Sequence, residues 1–159
     1  MFAVLLVEDH PSLALSVKRL LEGLGLSVIS ISKIKELREP NCVVAIMADQ
    51  EDVVELDLST LDIRVALIDF SLGKDSLTGD RLIPMLLGLG VFCLGIGDQE
   101  GGQHIQLKKG AHLTLRLKVT LAMAIHGQLA PADYRWPEGF DGDKDAVLKT
   151  LRELLTPSS

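Results

Sequence analysis

Two apolar runs in this sequence end in carboxylates. "FAVLLV" runs into Glu8-Asp9, and "VALI" runs into Asp69 within "VALIDFSLG", residues 65–73. A carboxylate at the end of a strand can attack phosphorus and carry it as an acyl phosphate. In an open α/β sheet the carboxyl ends of the strands near the topological switch point form the ligand crevice. If these two strands are neighbours, three carboxylates converge there, and their repulsion raises their pKa values unless a cation sits among them. Magnesium suits such a site because it takes hard oxygen ligands and keeps several waters. It would also offset repulsion as an anionic phosphate donor approaches Asp69. The same acids have a plainer use, since an acid pair after a strand often caps a turn or helix. The position of both sets after apolar strands favours a site.

The elements that must position these acids are legible in the periodicity. "FAVLLV" is continuously apolar, as a strand covered on both faces should be. After "EDHPS" the period changes: Leu13, Val17, Leu20, Leu21 and Leu24 form one stripe, with Lys18, Arg19 and Glu22 off it. That predicts an amphipathic helix with Pro11 or Ser12 near its start and Gly25 past its end. "LSVISI" reads as a second strand, which gives a right-handed βαβ unit. Between it and "RVALIDF" there is room for an added strand and helix: "CVVAIMA" looks like a strand and "EDVVELDLSTL" like a helix. The topology of residues 32–62 stays open at this stage.

After Asp69, "SLGKDSLTGD" is a loop and "DRLIPMLLG" a helix with Pro84 near its first turn. "VFCLGI" reads as a strand, "QEGGQHIQLKKG" as a loop and short helix, "HLTLRL" as a strand and "VTLAMAIHG" as a helix. This organisation places one α/β domain at residues 1–127. Residues 128–142, with Pro131, Pro137, Gly139 and Gly142, read as a linker in which Tyr134 and Trp136 pack the tail down. Residues 143–156 form an amphipathic helix whose Val147, Leu148, Leu151, Leu154 and Leu155 must be buried against the domain, a second copy of the chain or a target. Asp141, Asp143 and Asp145 are spaced like the start of a calcium loop. Ala146 and Arg152 stand where that loop needs Gly and Glu, so these acids mark a helix start instead.

Composition narrows the function classes. The 159 residues are 47 % hydrophobic and 24 % charged, with 16 basic against 22 acidic side chains and a net charge of −6. Nucleic acid binding needs clustered cations, and the tight basic pairs are only Lys18-Arg19 and Lys108-Lys109. Cys42 and Cys93 form no metal or redox pair, and the four histidines lack zinc spacing. "LIPMLLGLGVFCLGIG" is shorter than the roughly 20 residues of a membrane span and is broken by Pro84, Gly88 and Gly90. The N-terminus lacks a basic start, so the expected location is cytoplasmic. Dinucleotide, flavin and serine-hydrolase motifs are missing after the strands that would carry them.

"VLLVEDHPSLALSVKRLLEGLG" resembles the start of a response-regulator receiver domain. "ALIDFSLG" is similar to its central strand, and "GIGD", "KKGAHLTL" and "TLAMAI" to its later segments. The resemblance implies a flavodoxin-like, doubly wound, parallel five-stranded sheet. It also implies a phosphorelay role in which Asp69 takes a phosphoryl group from a histidine kinase or phosphotransfer protein. Glu8, Asp9, Asp69 and the backbone carbonyl of Ser71 would hold Mg2+. The chain departs from the pattern in three places. The hydroxyl expected after the fourth strand falls on Leu94 or Gly95. The lysine expected after the fifth falls on Leu117, leaving Arg116 or Lys118 as substitutes if a bulge aims one inward. The switch aromatic falls on Thr114. Two roles follow: a divergent receiver whose output passes to a downstream protein by contact, or a pseudo-receiver used for interaction or dimerisation without phosphotransfer. A small magnesium-dependent phosphatase on the same scaffold lacks motif support, so the expectation is a signalling protein and not an enzyme.

Overall fold

The computed structural model describes residues 2–96, 105–107 and 120–156. Its centre is β1 (Ala3–Val7), flanked by β2 (Ser27–Arg38) and β5 (Ile63–Ile68), with both pairings parallel. β6 (Phe92–Gly95) and β7 (Ile105–Leu107) continue the parallel set. β3 (Cys42–Met47) and β4 (Val53–Asp57) extend the sheet antiparallel beyond β2, and β8 (Tyr134–Arg135) pairs antiparallel with β7. The full order is β4-β3-β2-β1-β5-β6-β7-β8. Among the described residues the protein is thus α/β with a mixed sheet of eight strands, where the resemblance implies five parallel ones with room for an inserted strand and helix.

β1 is apolar throughout because each face has its own core. Val4 and Leu6 pack with Val65, Leu67 and Leu94 under α1 (Pro11–Gly23), the helix whose described part is 120–125 (α3), and α4 (Lys144–Leu155). Leu5 and Val7 join Ala66 and Ile68 on the other face, beneath α2 (Ile83–Gly88). α1 starts at Pro11, with His10 Nδ1 accepting from Leu13 N at 3.4 Å. It ends before Gly25, whose φ of +86° suits glycine.

The inserted region contains no α-helix. "EDVVELDLSTL" forms β4 and a 3-10 turn at Leu58–Thr60, so the expected helix is a strand. Its apolar residues Val54, Leu56 and Leu58 recur with period two, and β3 offers an edge for that alternation to pair with. β2 is twelve residues long and carries register shifts between Ile31 and Lys33 and between Ile34 and Glu36. Such bulges bend a strand. The bend brings Ile34, Val43, Ala45 and Leu58 into one core with Leu5, Val7, Ala66 and Ile68. A folded-over hairpin therefore covers this face together with α2.

A second difference concerns β7. It lies at Ile105–Leu107, inside the segment read as loop and short helix, because a parallel edge on β6 and an antiparallel one on β8 both pair with it. The segment "HLTLRL", with Thr114, Arg116 and Leu117, and the Lys118 that follows it lie outside the described residues.

The C-terminal segment is built onto the sheet. Tyr134 in β8 is buried, and Trp136 stacks on Phe140 at 4.9 Å between ring centroids. Trp136 Nε1 donates to the Pro131 carbonyl at 2.8 Å. Asp143 caps α4, its Oδ1 accepting from Ala146 N at 3.2 Å. Leu151 and Leu155 are buried against the body of the domain, which settles where the leucine stripe goes. Each such burial stabilises by about 2 kcal/mol.

Candidate metal and phosphoacceptor site

Main-chain hydrogen bonds carry the sheet one residue past its strand ends and fix the acids. Glu8 N donates to Ile31 O at 3.0 Å, and Asp69 N donates to Val7 O at 2.9 Å. Glu8 and Asp69 therefore emerge from adjacent strands at the same end of the sheet. Ligand atoms of Glu8, Asp9 and Asp69 all lie within 4.8 Å of one another. Glu8 is only 3 % exposed, while Asp9 and Asp69 are partly buried.

This environment moves a proton onto Glu8. Burial, followed by the charge of Asp69, raises its pKa from the usual 4.5 to about 8. Its Oε1 still accepts from His10 N at 3.1 Å, a contact that opposes the shift without cancelling it. A hydrogen bond between the Glu8 and Asp69 side chains adds to the rise. At neutral pH Glu8 thus holds a proton that a cation would displace.

The loop after Asp69 is strapped to the bent part of β2. Leu77 N donates to Ile34 O at 2.8 Å, and Ile34 N donates to Ser76 Oγ at 2.9 Å. Lys33 Nζ reaches the Lys74 carbonyl at 2.7 Å and Lys35 Nζ the Asp75 carbonyl at 2.6 Å. Within the loop Phe70 and Leu72 are buried, whereas Ser71 is exposed two residues beyond Asp69. Gly79 presses on the backbone of Asp69: a Cβ there would collide with the Asp69 carbonyl oxygen and meet Ile68 Cγ2 at 2.8 Å. Gly79 N donates to Phe70 O at 2.7 Å, closing the loop.

Lys33 is a cation that sequence reasoning missed. A Cβ on Gly73, at φ +79°, would lie 3.2 Å from Asp9 Oδ2 and 3.6 Å from Lys33 Nζ. The carboxylate and the ammonium thus flank one point, although one lies two residues past the end of β1 and the other in the far half of β2. No local signal announces this, because it depends on the bend in β2. Of the two positions where a hydroxyl was expected, Leu94 is fully buried in the core on the α1 side. Gly95 pairs with Ile68 at the end of β6. Neither has a side-chain hydroxyl to offer Asp69.

Cys93 is buried, which pushes its thiol up to about 12, and Cys42 is partly buried. Both are free thiols. Among the described residues no helix is long and apolar enough to cross a membrane. No protein-family model, no curated protein and no solved structure matches the chain.

Proposed function

We propose that the protein is a divergent, receiver-like signalling module on a flavodoxin-like scaffold, and that Asp69 is its phosphoacceptor. The observation that carries this reading is the meeting of Glu8, Asp9 and Asp69 at the carboxyl end of adjacent parallel strands. The strand order β2-β1-β5-β6-β7 supports it, since the crevice at the β1 end is where an open α/β sheet takes its ligand. The donor set fits Mg2+, being three carboxyl groups that offer only oxygen, and the cation would displace the proton that Glu8 holds. Glu8, Asp9 and Asp69 would hold the ion together with the Ser71 carbonyl, and the ion would supply charge neutralisation for an incoming phosphoryl group. Asp69 Oδ would form the bond to phosphorus while the bond from phosphorus to the donor's leaving atom breaks, an imidazole nitrogen for a phosphohistidine or an acetate oxygen for acetyl phosphate. The donor in the cell would be a histidine kinase or phosphotransfer protein, and the output would pass to a downstream protein by contact. No nucleic acid or membrane partner enters this account, and its setting is cytoplasmic.

A second reading, an interaction or dimerisation module without phosphotransfer, is favoured by one observation. Leu94 and Gly95 leave the end of β6 without a hydroxyl for the phosphoryl oxygens. Incubation with acetyl phosphate and Mg2+ followed by intact mass separates the two. The first reading expects an adduct of one phosphoryl group that Asp69→Asn abolishes. Absence of any adduct over long incubation, with Mg2+ in excess, leaves the second.

A further inference from the structure

A cavity of about 400 Å³ lies on the other side of β2 from the strap, between that strand, α1 and the end of β3. Its apolar walls include Ala14, Leu15, Val28 and Met47. Leu15 is 46 % exposed, whereas Leu13 and Leu21 of the same helix are buried. Lys18 and Asp49 bring charge to the lining. Ser30, only 8 % exposed, lines the same cavity, and its Oγ has no hydrogen-bond partner. A buried hydroxyl without a partner costs about 1–3 kcal/mol.

The strand beside this cavity has an open edge. Ile31 O accepts from Glu8 N, so Ile31 turns its main-chain groups toward β1. Alternation along the strand then turns those of Val28 and Ser30 outward. Ser30 O meets Ala48 N at 3.0 Å, as that parity requires. Pairing with β3 starts at Ile31, so among the described residues no strand lies beside Val28 on its outer side. An outward N–H and C=O next to an apolar cavity form the two halves of a strand-addition site: main-chain pairing supplies affinity and the cavity reads a side chain.

We propose that the groove between α1 and the outer edge of β2 takes an extended peptide, which pairs with Val28 and inserts one apolar side chain between Leu15 and Met47. Lys18 selects an acidic residue beside that anchor, and Ser30 Oγ gains a partner in the complex. The site owes nothing to Asp69 and stands whether or not phosphotransfer occurs.

The test uses the full chain, labelled with 15N, and capped pentapeptides of threonine and one glutamate around a central leucine, methionine or phenylalanine. At least one should shift and protect the amides of Val28 and Ser30 in a saturable titration. N-methylation of the peptide amide that pairs with Val28 should weaken binding about tenfold with every side chain kept. Leu15→Asp, at a half-exposed helix position that tolerates charge, should weaken it by a similar factor. Four results would overturn the proposal: no perturbation by any of the peptides at millimolar concentration; equal binding of the N-methylated form; perturbation centred on another surface; or shifts at Val28 that follow protein concentration alone, which would make a second copy the occupant.

Discussion

Replacing Glu8 by Gln should stabilise the metal-free protein, by an amount set by pH. A carboxyl whose pKa is raised on folding contributes fully below its unfolded value, near 4.5, and the contribution is lost as the pH rises through about 8. Between those limits the folded state loses about 1.4 kcal/mol per pH unit. The loss amounts to about 1 kcal/mol at pH 5 and about 3 kcal/mol at pH 7. Glutamine keeps an oxygen for His10 N and a donor for Asp69 but has nothing to titrate. Urea denaturation of both proteins with a chelator present should show the variant's advantage widening by about 2 kcal/mol from pH 5 to pH 7. Ionisable groups that do not interact with Glu8 act on both proteins alike and drop out of the difference. Adding Mg2+ should restore the native protein above pH 7 and leave the variant nearly unchanged. A gap that is the same at every pH would refute the claim that a buried, proton-holding Glu8 lies at the centre of this site.

Gly79→Ala should cost about 1–3 kcal/mol in denaturant melts and weaken Mg2+ binding measured by calorimetry, because its Cβ drives into the backbone that presents Asp69. Leu155→Ala, at a fully buried position of α4, should lower stability by about 3 kcal/mol while leaving an Asp69 adduct detectable by mass. Ser30→Ala should raise the stability of the free protein by about 1 kcal/mol, since it removes a buried hydroxyl that has no partner; a loss of similar size would show that the hydroxyl is satisfied.

The parts of the fold legible in the sequence are those with strong local patterns. β1 and β5 are unbroken apolar runs, α1 changes period within a few residues, and the acids follow the strands directly. The insertion was harder to read because β2 disguises its own period. Ile31, Ile34 and Leu37 recur every three residues, a helical spacing, because two bulges shift the parity of a strand. β4 alternates cleanly, but over only five residues and beside charges that suit an exposed helix equally well. β7 and β8 are three and two residues long, and pairing of partners nearly thirty positions apart defines them. Lys33 was hidden for the same reason, since its place beside Asp9 is set by the bend in β2.

β8 and α4 together give the chain an order of completion. Tyr134, Leu151 and Leu155 share a core with Val4 and Leu6 of the first strand. During synthesis the βαβ beginning leaves the ribosome long before the residues that seal its α1-side face. The outer edge of β7 stays unpaired until β8 at Tyr134–Arg135 has emerged, and the apolar surface stays open until α4 has followed about twenty residues later, so the last-made part of the chain is what closes the first-made core.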